Sequence, residues 1–279
     1  MTTGCVHMRF LRPYPGARRD RGFTLVELAV VVLVVGLLIG SLLVPLSTQV
    51  DQRNASEAQR RLEDAREALL GFAISNGRFP CPASVASSTT GTEEFAVSPA
   101  GNSTNGICMS FSGYLPGQTL GLNNLDASGY ALDGYPLSQP GQGRIRYAIA
   151  DATLATIQHV LTATGQMRAV GIAALGPPTP PPGPYLYVCG SSTGMTLLSC
   201  GTTTNSLALG NAVFIVYSLG KNGTLGASLD EQKNINTIGS KTFLGRNYSS
   251  VSSQEFDDQL LWVSSYTLIS RMVAAGVLP

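Results

Sequence analysis

From Phe23 to Val44 the chain reads FTLVELAVVVLVVGLLIGSLLV, a predominantly apolar run with a single charge, Glu27. A helix rises about 1.5 Å per residue, so this run is long enough to cross the ~30 Å hydrocarbon core of a bilayer. A carboxylate facing lipid costs roughly 2.5–3.5 kcal/mol, so Glu27 demands a partner unless it snorkels to the interface from its place near the helix end. Five of the 18 basic residues (Arg9, Arg12, Arg18, Arg19, Arg21) precede Phe23, against Asp20 alone among the acids. The positive-inside rule therefore keeps residues 1–22 in the cytoplasm and sends the C-terminal part out of it.

An ordinary secretory signal has a shorter apolar run with a small-residue cleavage site after it. Here the order is reversed: Arg21-Gly22 stands directly before the run and no A-x-A follows. The stretch Arg21-Gly22-Phe23-Thr24-Leu25-Val26-Glu27 resembles the signal of type IV prepilins and type II secretion pseudopilins. That resemblance implies a membrane aspartyl peptidase that cuts after Gly22 and methylates the new amine of Phe23. Gly22 has no side chain to obstruct the approach. Glu27 lies one helical turn from Phe23, and the resemblance assigns it the amine of a neighbouring subunit as its partner. The implied partners are other pilin or pseudopilin subunits, prepilin peptidase, an inner-membrane assembly platform and the lipid bilayer. The implied location is the bacterial inner membrane, single-pass, with the C-terminal domain periplasmic before entry into a filament.

Cutting after Gly22 removes Cys5 and leaves Cys81, Cys108, Cys189 and Cys200, an even number that suits two disulfides in an oxidising compartment. Three pairings are open, and short loops favour Cys81 with Cys108 and Cys189 with Cys200. The mature chain would carry 13 basic and 16 acidic side chains, a net of −3, so nothing in its charge argues for nucleic acid. Apolar residues make up 44% of the 279, enough for a sizeable core, while only 13% are charged, a composition that leans extracytoplasmic. Catalysis is poorly supplied. The two histidines are His7, in the leader, and His159, in an Ala/Thr/Leu-rich segment that reads as helical. No nucleophile elbow, P-loop or H-E-x-x-H is present.

Pro45 ends the apolar run and predicts a helix kink. Beyond it, Ala55, Ala58, Leu62, Ala65, Leu69 and Phe72 recur at spacings of three and four, an amphipathic helix that Asn76-Gly77 closes. Residues 144–150 alternate as a strand, 185–189 and 212–219 read as strands, 260–263 as a buried segment and 267–275 as a short helix stopped by Gly276. Pro177 to Pro184 reads as a stiff polyproline spacer. The expected organisation is a leader (1–22), a transmembrane and assembly helix (23–45), its amphipathic continuation (46–76) and an extracytoplasmic globular domain (77–279). The expected fold is α+β: a long N-terminal helix packed on an antiparallel β-sheet, pilin-like, with enlarged loops.

Residues 212–219 with the turn Gly220-Lys221-Asn222-Gly223 also resemble the strand and turn of pseudopilins, whose following loop holds calcium in the major subunits. Asp230, Asp257 and Asp258 are the candidate ligands here, although Lys221 stands where an acidic residue is usual. The function expected is a structural subunit, a minor pseudopilin or pilin of a type II secretion pseudopilus or type IV pilus. The alternative is a binding module displayed on such a fibre, an adhesin or a DNA-uptake minor pilin.

Overall fold

The computed structural model describes residues 23–84, 90–137, 142–176, 183–201, 207–225, 228–235, 237–251 and 253–279, except for the side chains of 40–48 and 207–209. The expected leader and residues 177–182 of the polyproline run lie outside the described residues. The chain is α+β and forms two compact units, residues 1–49 and Val50–Pro279.

Helix α1 runs Leu25–Asn76 and so contributes to both units. In the first, every side chain described from Leu25 to Ile39 is exposed. Among the described residues no helix is long and apolar enough to cross a membrane. The remainder of the expected span, through Val44, lies outside the described side chains. The backbone is helical through Pro45.

In the second unit, α1 buries Ala58 and, in the main core, Leu62, Ala65, Leu69, Leu70 and Ala73, as the three-four spacing of its apolar residues requires. The stripe ends on Ala73 rather than Phe72, because Phe72 turns aside to lie under the guanidinium of Arg78, 5.3 Å away. Gly77 then adopts φ +65°, and its N–H donates to Ala73 O at 2.9 Å, closing the helix with a left-handed residue that glycine takes at little cost. Arg78 is buried and donates to both oxygens of Glu93 at 2.7 Å, stacked between the rings of Phe72 and Phe95. This pair anchors the loop after the helix, which the disulfide Cys81–Cys108 closes.

The sheet contains β1 (Ser112–Tyr114), β2 (Arg146–Ile149), β3 (Leu186–Cys189), β4 (Leu207–Ser218), β5 (Thr242–Leu244) and β6 (Gln259–Ser264), in the order β1-β2-β4-β3-β5 with β6 also paired to β4. It is mixed, where an antiparallel sheet was expected: β3 and β5 are parallel, Tyr187 opposite Thr242 and Cys189 opposite Leu244. A parallel partner needs a long crossover, and the chain from β4 through residues 219–241 provides it by returning to the far edge of β3. Short helices accompany the sheet: α2 (Gly117–Leu120), α3 (Gln166–Leu175), α4 (Gln232–Ile235) and α5 (Ser265–Ala274).

The core sits between α1 and the sheet, around Phe79, Tyr147 and Phe214, with ring centroids 5.2 Å apart for Phe79–Phe214 and 6.2 Å for Tyr147–Phe214. Although its sequence alternates, β2 is buried at all four positions. Its second face is covered by the segment around α4: Arg146 donates to Ile235 O at 3.2 Å, and Tyr217 on β4 meets the Thr237 hydroxyl at 2.8 Å. Conversely, β6 is mostly half-exposed rather than buried, with Trp262 40% exposed. Ser264 caps α5 by accepting from Thr267 N at 3.2 Å, and Gly276 follows the helix at φ +71°. His159 is not helical; it sits in a turn at φ +53°, pairs through Nδ1 with Asp151 at 2.7 Å and stacks on Phe111.

Candidate functional site

The first site is the head of α1. Thr24 and Glu27 form a reciprocal cap: Glu27 N donates to Thr24 Oγ1 at 3.3 Å, and Thr24 N donates to Glu27 Oε2 at 3.3 Å. The Thr24 hydroxyl gives the same carboxylate a second donor, also at 3.3 Å. This is a capping box, in which two of the unpaired N–H groups at a helix start are satisfied by side chains three residues apart. The Thr-x-x-Glu spacing is visible in the sequence, but the peptidase motif occupies the same residues and draws attention away from it. Glu27 therefore has partners within its own chain, and its carboxylate sits at the positive end of the helix dipole. Phe23 is 79% exposed beside it, while Gly22, on the other side of the expected cut, lies outside the described residues.

A family model for the prokaryotic N-terminal methylation motif matches residues 17–43. The match supports the resemblance of this segment to type IV pilins and pseudopilins. It covers only the N-terminal segment of the chain, and no curated protein and no solved structure matches the chain. The globular part has to be read from its own geometry.

Two disulfides are formed, Cys81–Cys108 and Cys189–Cys200, each with Cα atoms 5.3 Å apart. Of the three possible pairings, this is the one with the shortest loops. The first holds the connection that follows α1; the second closes the turn between β3 and β4.

The second site surrounds the turn Gly220–Gly223 of the Val50–Pro279 unit. Gly220 has φ +64°, and a Cβ there would fall 2.3 Å from the carboxyl carbon of Asp257, so only glycine fits. Asp257 accepts from Lys221 N at 2.7 Å, and Glu231 accepts from Asn222 Nδ2 at 2.9 Å. Burial pushes the Asp257 carboxyl up to about 6; the neighbouring charge of Glu231 adds to this, and the N–H bonds from Lys221 and Asn222 oppose it. Gln142 Nε2 donates to Asn222 O at 2.9 Å. Around this turn, Gln142 Oε1, Asn222 Oδ1 and Asp257 Oδ1 are buried with no hydrogen-bond donor among the described residues.

The three aspartates expected to bind calcium do not come together. Asp230 is taken by Arg246 and the Ser192 hydroxyl. Asp258 is buried and accepts from Asn234 Nδ2 at 2.8 Å, and burial raises its carboxyl well above the ordinary range. Among the described residues no group of three or more His, Cys, Asp and Glu side chains is arranged to hold a metal ion. Around the Gly220 turn, Asp257, Glu231, Asn222 and Gln142 carry oxygens of the carboxylate and amide kinds that calcium takes, of which it needs six to eight. The two amide residues escape a reading that looks only for acids.

Proposed function

We propose that the chain is a structural subunit, a minor pseudopilin or pilin, of a type II secretion pseudopilus or a type IV pilus. The observation that carries this reading is the methylation-motif match over residues 17–43, which ends inside α1, where the apolar side chains described from Leu25 to Ile39 are all exposed. In this reading prepilin peptidase cuts after Gly22 and methylates Phe23. Residues 23–44 hold the subunit in the inner membrane, and Val50–Pro279 lies in the periplasm, an oxidising compartment that suits the two disulfides.

Assembly is then an exchange of partners. A membrane platform lifts the subunit, and the apolar side chains from Leu25 to Ile39 leave lipid for the spans of neighbouring subunits. Glu27 gives up its bonds to Thr24 for the amine of a neighbour's Phe23, and this pairing sets the axial register. Pro45, which removes one helical hydrogen bond, is where α1 loosens as the subunit moves. A calcium ion at Asp257, Glu231, Asn222 and Gln142 would tie the β4 turn to the loops after it.

Mass spectrometry of the mature N-terminus tests the reading. N-methylated Phe23 is expected; an intact Met1, or a chain that begins after Val44, would overturn it.

A further inference from the structure

The edge strands of a sheet present backbone N–H and C=O groups that pair with another strand unless something closes them. Here the edge strands are β1, β5 and β6, and the first two are closed by the same device. On β1, Ser112 N donates to Ser110 Oγ at 3.2 Å and that hydroxyl donates to Ser112 O at 2.7 Å. Tyr114 N donates to Ala83 O at 2.9 Å, and Ala83 N donates to Tyr114 O at 3.0 Å. On β5, Thr242 N donates to Ser240 Oγ at 3.1 Å and that hydroxyl donates to Thr242 O at 2.9 Å. Leu244 N and O are both taken by the carboxamide of the buried Asn234, each at 2.9 Å.

Strand β6 has no such closure. It pairs with β4 alone. Ala150 N donates to Val213 O at 2.9 Å, so Val213 and, at the strand period of two, Ile215 and Tyr217 turn their backbone groups toward β2. Phe214, Val216 and Ser218 turn theirs toward β6, opposite Val263, Leu261 and Gln259. Leu260 and Trp262 therefore turn theirs outward, and among the described residues no group pairs with them. The strand reads QLLWVS, without the charge or proline that guards such an edge. The Leu260 and Trp262 side chains share a face with Tyr217 and Ile215, while Gln259 on the opposite face reaches α1 and donates to Ala55 O at 3.2 Å.

We propose that β6 pairs with β6 of a second copy of this chain, antiparallel about a two-fold axis at Leu261, so that two sheets become one. In this register Leu260 exchanges a pair of backbone hydrogen bonds with Trp262 of the partner subunit, and Trp262 does the same with the partner's Leu260. Each pair also sets an aliphatic side chain beside an aromatic one on the same face. A copy is the occupant that the edges select. With β1 and β5 closed, its open edge is β6; an uncharged strand does not repel its own image, and the two outward residues exchange places under a two-fold axis. The pairing closes on itself and stops at two. It lies within the Val50–Pro279 unit and does not depend on the assembly reading.

The test uses the full chain in detergent with Cys5→Ser, which removes the cysteine outside the two disulfides. Leu261 falls opposite the partner's Leu261 with Cα atoms ~4.5 Å apart, within the reach of a disulfide. Under mild oxidation Leu261→Cys should become mostly disulfide-linked dimer. Gln259→Cys should not, because its image lies four residues along the pair, ~14 Å away. Val97→Cys, exposed and far from β6 in sequence, reports chance collision and should stay unlinked. By light scattering the parent should be a dimer, and Leu260→Lys, which enters both cross-strand pairs, should weaken it about tenfold with an unchanged circular dichroism spectrum. A monomeric parent overturns the proposal, as does linkage at Gln259→Cys or Val97→Cys equal to that at Leu261→Cys, or a Leu260→Lys chain as dimeric as the parent. Linkage of Leu261→Cys to a different protein and not to itself overturns the choice of occupant.

Discussion

The capping role of Glu27 and its proposed role in assembly can be separated by one substitution, because glutamine keeps the capping box while losing the charge. In the free subunit its carboxylate accepts from Thr24 N and Thr24 Oγ1, both at 3.3 Å. Loss of an N-cap of this kind costs about 1 kcal/mol. In the filament the same carboxylate is proposed to meet an ammonium, a charge-assisted hydrogen bond worth about 1.5–3 kcal/mol. Each 1.4 kcal/mol is tenfold, so Glu27→Gln should lower incorporation about ten- to hundredfold with membrane levels unchanged. Glu27→Ala loses the cap as well, but the cap belongs to the free subunit, so its incorporation should stay within about fivefold of that of Glu27→Gln. Thr24→Ala keeps the carboxylate and should stay within about fivefold of the parent. The assay is the amount of each variant recovered in cross-linked multi-subunit complexes, normalised to its amount in the membrane. Assembly of Glu27→Gln at the parent level would refute the role of the charge. A Thr24→Ala defect as deep as that of Glu27→Gln would show that the cap, not the charge, is what assembly needs.

Further expectations concern the globular unit. Gly220→Ala forces a left-handed alanine against Asp257 and should cost about 2–4 kcal/mol, read as a lower denaturant midpoint for the full chain in detergent; an unchanged midpoint would refute the close approach. Asp133 is buried, and burial raises its carboxyl above the usual range against the pull of the Ser218 hydroxyl. A raised folded value means that its contribution to stability is full below the unfolded value of ~3.9 and fades as pH rises through the folded one. Asp133→Asn should therefore flatten the fall in melting temperature above pH 4, and a parent-like pH slope would count against this. Calcium at 100 times its dissociation constant should stabilise the chain by about 2.7 kcal/mol. Chelator should reverse the effect, Asn222→Ala should abolish it, and a melting temperature indifferent to calcium would rule the site out.

The helical parts were legible because their signals are local. The stripe Ala58, Leu62, Ala65, Leu69 is a repeat along the chain, and Gly77 ends the helix through its own backbone freedom. Strand positions were legible too, but their surroundings were not. Tyr147 and Ala148 of β2 look like alternating residues until the segment around Thr237 covers the outer face, and β6, expected to be buried, leaves Trp262 40% exposed. His159 was misread because an Ala/Thr/Leu-rich segment has helical propensity, whereas contacts with Asp151 and Phe111 accompany a positive φ. The candidate calcium ligands were sought among acids, whereas the turn also gathers the amides of Gln142 and Asn222 near Asp257 and Glu231.

The order of residues from Arg21 to Glu27, the apolar run behind it and the loss of five arginines on cleavage needed no coordinates. Peptidase recognition, helix capping and partition into lipid all act on neighbours in the chain, so the sequence alone carries the methylation motif and the assembly mode to be tested. Tertiary structure alone decided the parallel pairing of β3 with β5 and the oxygens around Gly220, while the pairing Cys81–Cys108 and Cys189–Cys200 is the one that short loops favoured. The first two depend on segments far apart in the chain that only the path of the fold brings together, and no periodicity records that path.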